Sequence, residues 1–246
     1  MGNEDTVKKS YKFINTFTLK LMAIIFMTVD HAAVVIGTKP VSGRLYYSSL
    51  ISQNAYNTMR CLGRLAFPIY CYLIVEGFFF TRSVKKYVLR LTIFAFISQI
   101  PFSLAIMKEP FYFSDLNTLF TLAIGLICVA LIDNTITNHA MPYPICFIII
   151  SILSTLSIVA STDYSIYGIL LILIFYVFRE QPVKIFATMT LDCLLLQPPT
   201  QLYSLFALIP ILLYNGKKGP SMKYVFYIYY PLHLTLLYFI YMQLSN

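Results

Sequence analysis

An all-α, polytopic membrane bundle of about nine transmembrane helices is the fold class this sequence predicts, and three observations predict it. Apolar residues make up 59% of the 246-residue chain and charged residues only 11%. Apolar runs recur from residue 17 to the C-terminus, with no repeat, low-complexity tract or second domain between them. The cationic residues gather in alternate connecting segments, as they do where loops face an anionic cytoplasmic leaflet. That distribution accounts for the net charge of +8 without a nucleic-acid partner.

About 20 residues cross the hydrocarbon, and ~17 can suffice. On that rule the spans fall near 17–37, 61–81, 87–107, 115–132, 142–160, 164–179, 182–196, 200–214 and 222–243. The polar opening MGNEDTVKKSYKFINTF enters the first run without a small-residue cleavage site, which reads as a cytoplasmic leader over 1–16 rather than a removed signal peptide. Residues 38–60 form one sizeable external loop, polar and Tyr-rich, with room for an interfacial helix. Pro198-Pro199 breaks the chain between two short spans, so 182–214 admits a re-entrant hairpin as an alternative.

With the N-terminus inside, the inner segments hold Lys8, Lys9, Lys12, Arg82, Lys85, Lys86, Arg179, Lys184, Lys217, Lys218 and Lys223; the outer ones hold Lys39, Arg44, Arg60 and Lys108. Eleven against four sets N-in and C-out by the positive-inside rule. The five cysteines, Cys61, Cys71, Cys128, Cys146 and Cys193, stand singly, without zinc or disulfide spacing, and no metal is expected.

Ionisable groups at bilayer depth cost several kcal/mol, so each demands a partner or a function. Asp30 and His31 lie well inside the first span, toward its outer half. Neighbours on a helix point about 100° apart, so the two share a site without needing to bond each other. A neutral His in an apolar cleft is suited to take a proton from an amine or hydroxyl; a His packed between helices is the structural alternative. Arg64 fits a snorkelling residue, and Glu76 calls for a cation on a neighbouring helix or a polar cavity. The run TRSVKKYVLR, with Arg82, Lys85, Lys86 and Arg90, is either a topology signal or a cradle for the phosphates of a nucleotide-like donor. His233 follows Pro231 midway along the last span, His139 reads as an exposed loop residue, and Asn117 and Thr121 share a helix face suited to an interhelical hydrogen bond. Signatures of soluble hydrolases, phosphate loops and zinc proteases are absent.

The segments LKLMAIIFMTVDHAAVV, GRLAFPIYCYLIVEGFFFTRSVKKYVLRLTIFAFISQIPF, NTLFTLAIGL, YSIYGILLILIFYVFR, LYNGKKG and FYIYYPLHLTLLYFI occur in this order over nearly the whole chain. Together they resemble the TraX family, named for a conjugal-transfer protein that N-acetylates pilin. The resemblance implies a multi-pass acyltransferase of a bacterial cell membrane, which takes an acyl group from cytoplasmic acetyl-CoA and delivers it across the membrane. On it, Asp30 and His31 match the family's DH pair, Arg64 and Glu76 its RLAFP and EG block, and His233 its PLH. His31 is then the general base, Asp30 tunes or orients it, and Arg64 or His233 steadies the thioester oxyanion; a transient acyl-histidine is the alternative. Arg82, Lys85, Lys86, Arg90, Lys217 and Lys218 are the candidates for the CoA phosphates. The expected acceptor is the amine of a pilin or exported peptide, with a surface glycan hydroxyl as alternative, membrane lipid as surroundings and the oligomeric state open. A reading from another class is a proton-coupled transporter or flippase, for which an inverted repeat would be the sign.

Overall fold

A computed structural model describes residues 12–138, 140, 142–220 and 223–245. The expectations for Lys8, Lys9 and His139, and most of the leader, fall outside these residues. Helix α1 (Thr16–Gly37) starts where the Asn15 side chain accepts the Thr18 amide proton at 2.9 Å, satisfying one of the first turn's orphan donors. A two-stranded hairpin follows, β1 (Thr38–Val41) and β2 (Arg44–Tyr47), with Thr38 opposite Tyr47. Its turn residues Ser42 and Gly43 both take positive φ, 49° and 76°, as the favoured two-residue hairpin turn requires.

Helix α2 (Gln53–Gly63), capped by Ser52, turns through Arg64 and Leu65 into α3 (Ala66–Phe80). The expected external loop 38–60 is therefore a hairpin and most of a helix, and the span expected over 61–81 is the inner part of a longer run from Gln53 to Phe80. Hydropathy misses α2 because polar residues dominate it; its signal is amphipathicity instead. Then come α4 (Val84–Met107), α5 (Thr118–Asn138), α6 (Pro142–Val159), α7 (Ser165–Val177) and α8 (Pro182–Leu196). A 3₁₀ helix (Pro199–Ala207) runs into the short α9 (Leu208–Leu212), and α10 (Lys223–Leu244) ends the described chain.

Six of these runs are long and apolar enough to cross a membrane: α1, α2 with α3, α4, α5, α6 and α10. Each overlaps an expected span, α2 with α3 starting eight residues earlier than expected and α5 ending six residues later. The other three expected spans are shorter legs, α7 with 13 residues, α8 with 15, and the Pro199–Leu212 leg, each below the ~17 residues of a minimal span. The 3₁₀ stretch partly offsets this, because a rise of ~2.0 Å per residue carries its nine residues roughly 18 Å.

The loops tie the ends of the bundle together. At one end the amide of Ile14 donates to Leu213 O and that of Asn215 to Ile14 O, at 3.0 and 2.8 Å. At the other, Leu116 N donates to Ser161 O and Asp163 N to Leu116 O, at 3.0 and 2.9 Å. The centre of the bundle is α3 against α7, with Phe67, Ile69, Tyr167, Leu171 and Phe175 among the buried side chains. Lipid is as apolar as these residues, so close van der Waals contact, not escape from water, holds the helices. Gly168 shows how close: a Cβ there would lie 2.4 Å from Thr121 Cγ2 on α5. Asn117, one turn before Thr121, donates to Ala95 O and to Gln99 Oε1 on α4, both at 2.8 Å, so the expected interhelical bond forms.

Candidate functional site

Two histidines meet where α1 packs against α10. His31 on α1 and His233 on α10 are buried, and their rings stack with centroids 5.0 Å apart and Nδ1 of His31 2.7 Å from Nε2 of His233. The local sequence fixes which nitrogen carries which proton. Nδ1 of His233 lies 2.9 Å from the Tyr229 carbonyl, one helical turn earlier, and a carbonyl only accepts; Nδ1 therefore bears the hydrogen and Nε2 the lone pair. His31 must then donate from Nδ1. Its own Nε2 is left as an acceptor, with no hydrogen bond to any described residue. Tyr230 stands edge-on to both rings, and Tyr229 stacks on His233 while its hydroxyl bonds Thr28 at 2.8 Å.

His31 forms part of the wall of a cavity of about 250 Å³, with Asp30, Arg60, Arg64, Thr118, Asp163 and Tyr164 among its other polar neighbours. Asp30 does not bond His31. Its Oδ2 receives Arg60 Nη1 at 2.6 Å, and Arg64 Nη2 lies 3.7 Å from its Oδ1. Gly63 makes the pairing possible, because a Cβ at that position would lie 2.3 Å from the Asp30 side chain. Arg64 also donates to Gln201 Oε1 on the 3₁₀ helix at 3.3 Å, while its Nε is buried with no hydrogen-bond partner.

The other end of the bundle holds a second recess of about 470 Å³. Its cations are Lys20, Arg90 and Lys218, and its walls include the rings of Phe17, Phe80, Tyr87 and Tyr227. Arg90 stands over the Tyr87 ring at 5.7 Å, with its Nε buried and unbonded. Tyr70, Leu119, Leu122 and Phe226 line both recesses, so a single layer of side chains divides them.

The structure thus brings Asp30, His31, Arg64 and His233 together and leaves Glu76 apart. Glu76 sits at the far end, lining the second recess, where Arg179 grips its Oε1 through Nε at 2.7 Å and Nη2 at 2.6 Å. It has both the cation and the polar cavity that its depth demanded. Of the six basic residues expected at the donor site, Arg90 and Lys218 line the recess, whereas Arg82, Lys85, Lys86 and Lys217 are exposed outside its lining. Sequence reasoning missed Arg60, Asp163, Gln201 and Lys20. Only Arg60 left a usable signal, its i, i+4 spacing from Arg64, which puts two guanidinium groups on one helix face.

The family model described as TraX protein matches residues 16–241. A curated relative, "Probable fimbrial assembly protein FimC, serogroup H1" of Dichelobacter nodosus, is 30% identical over 252 residues, covering 91% of this chain and 94% of that protein. No solved structure matches the chain.

Proposed function

Because this chain belongs to the TraX family, we propose that it is a membrane-embedded acetyltransferase moving an acetyl group from cytoplasmic acetyl-CoA to an amine at the outer side of a bacterial cell membrane. One observation carries this reading: a histidine with a free Nε2 faces one recess, and only the shared wall of Tyr70, Leu119, Leu122 and Phe226 separates that recess from a cation-lined one entering from the opposite end. The residues of the second recess fit the donor. Lys20, Arg90 and Lys218 offer charge to phosphates, and the aromatic walls suit an adenine face. The fimbrial assembly relative supports an exported pilin-like peptide as acceptor.

The donor supplies an acetyl group activated as a thioester. His31 Nε2 takes a proton from the acceptor ammonium, and the resulting imidazolium is held by the hydrogen bond from its Nδ1 to His233. The freed amine attacks the carbonyl carbon while Arg64 stands by the oxygen that gains charge. The C–S bond breaks as His31 returns its proton to the departing thiolate, and the attacking nitrogen gives its second proton to water in the recess, leaving amide, free CoA and one released proton. Asp30 serves by holding Arg64 and Arg60 in place. In this arrangement the N-terminus, Arg90 and Lys218 face the cytoplasm, so reporter fusions after Asn246 and within residues 83–86 are expected on opposite sides of the membrane; the same side for both would mean an even number of spans between them, and the donor route would have to be redrawn.

The test of function is direct. Protein in lipid nanodiscs, given acetyl-CoA and a peptide with a free N-terminus, is expected to release CoA and acetylated peptide in equal amounts; release of neither would refute the reading. In the same assay the pair Arg90→Ala with Lys218→Ala should raise the acetyl-CoA KM about tenfold with a smaller change in kcat, since remote phosphate contacts add mainly uniform binding. The pair Lys85→Ala with Lys86→Ala, outside the recess, should leave KM within about twofold. The opposite ranking would move the phosphate site to the exposed cluster.

A further inference from the structure

The outer recess is lined by two carboxylates, and they differ in what is left for a ligand. Asp30 is occupied, one oxygen by Arg60 and the other facing Arg64. Asp163, in the connection between α6 and α7, accepts a short hydrogen bond from the Thr118 hydroxyl on Oδ2, and no described residue bonds its Oδ1. Unlike the buried histidines it is exposed, and it lines the same cavity as His31. Its backbone is held as well, through its amide to Leu116 O at 2.9 Å, so the carboxylate is presented from a fixed position.

Charge makes the position consequential. Arg60 and Arg64 bring two positive charges to the recess and Asp30 cancels one, so without Asp163 the cavity would repel a cation. Desolvation in the recess raises the Asp163 carboxyl above its ordinary range, while the Thr118 hydroxyl, Arg64 and Arg60 favour its ionised form and Asp30 opposes it; Tyr164 beside it and Tyr230 from α10 interact with it as well. Tyr230 also packs against His31 and His233, and it lines the same cavity as Asp163.

Resting on the acetyltransferase reading, we infer that Asp163 anchors the acceptor as an ammonium ion, and that this anchor makes the site select primary amines over hydroxyls. An ammonium group can give one N–H to Asp163 Oδ1 and another to His31 Nε2. A sugar or serine hydroxyl has one hydrogen and no charge, so it cannot satisfy both. Asp163 is then a binding and specificity residue, and His31 keeps the proton transfer.

Equilibrium binding tests this without requiring turnover. The probes are a tripeptide amide of alanine, leucine and phenylalanine and its analogue with the N-terminal amine replaced by hydroxyl, titrated into the full chain in nanodiscs at pH 6.5. Wild type should prefer the amine by about tenfold, the scale of one charge-assisted hydrogen bond. The preference should fall at pH 9, where an α-amine with a pKa of about 7.7–8.0 is uncharged. Asp163→Asn keeps an acceptor for Thr118 and should abolish both the preference and its pH dependence, while Asp163→Glu should retain them. Equal binding of the two probes by wild type, or an unchanged preference in Asp163→Asn, would overturn the assignment. Loss of acetylation with an intact amine preference would instead count against the proposed reaction alone.

Discussion

Replacing His31 with alanine should lower acetyl transfer by about 10²–10⁴-fold, the range a positioned general base contributes, while acetyl-CoA still binds the recess at the other end. The contrast with His233 makes the result diagnostic. In the proposed reaction His233 never needs to meet the acceptor; it would fix the tautomer of His31 through the 2.7 Å contact and hold the charge that forms. His233→Gln, which retains an acceptor near Nδ1 of His31, should keep more activity than His233→Ala, whereas no such rescue exists for His31. Measured in detergent with a thiol reagent that reports free CoA, wild-type turnover in His31→Ala would remove the residue from the chemistry. Equal losses in His233→Gln and His233→Ala would remove the tautomer argument.

Asp30→Ala should destabilise the protein by about 3 kcal/mol, the lower part of the range for breaking a buried ion pair, because two guanidinium groups, 26% and 14% exposed, lose their counter-charge at once. A loss of that size should lower the apparent melting temperature by roughly 5–10 °C. Removing one of the stranded cations should help, so Asp30→Ala with Arg60→Ala is expected to melt above Asp30→Ala alone. Melting unchanged from wild type in the single variant would show that the two arginines find water or lipid phosphate instead.

Much of the fold and part of the site were legible in the sequence. Hydropathy alone placed α1, α4, α5, α6 and α10, because long apolar runs have no alternative in a bilayer. The same rule picked out Asp30, His31 and His233 as costly exceptions, and they converge. It misplaced Arg60, since α2 is polar enough to pass for a loop, and it could not separate Glu76 from the site, since depth along one helix says nothing about which end of the bundle a partner occupies. Arg179, one hundred and three residues later in the chain, decides that. Asp163 was hidden for another reason: a carboxylate in a short connection is ordinary in sequence, and only the tie between Leu116 and Ser161 carries it to the cavity. The basic cluster after α3 reads in sequence as one unit, yet helical geometry turns Arg90 toward the recess and leaves Lys85 and Lys86 outside its lining.

The wall formed by Tyr70, Leu119, Leu122 and Phe226 also has an electrical meaning. A membrane potential normally falls over about 30 Å of hydrocarbon. Here, once water fills both open recesses, most of that voltage drops across a septum one side chain thick, and each elementary charge moved through it exchanges about 2.3 kcal/mol per 100 mV with the field. The His31–His233 pair borders this septum. On the proposed reaction, acetyl transfer in sealed vesicles should respond to an imposed potential in proportion to the charge that crosses with the acetyl group, which for a neutral acyl carried on sulfur is near zero; the wall would then keep the membrane energised during turnover.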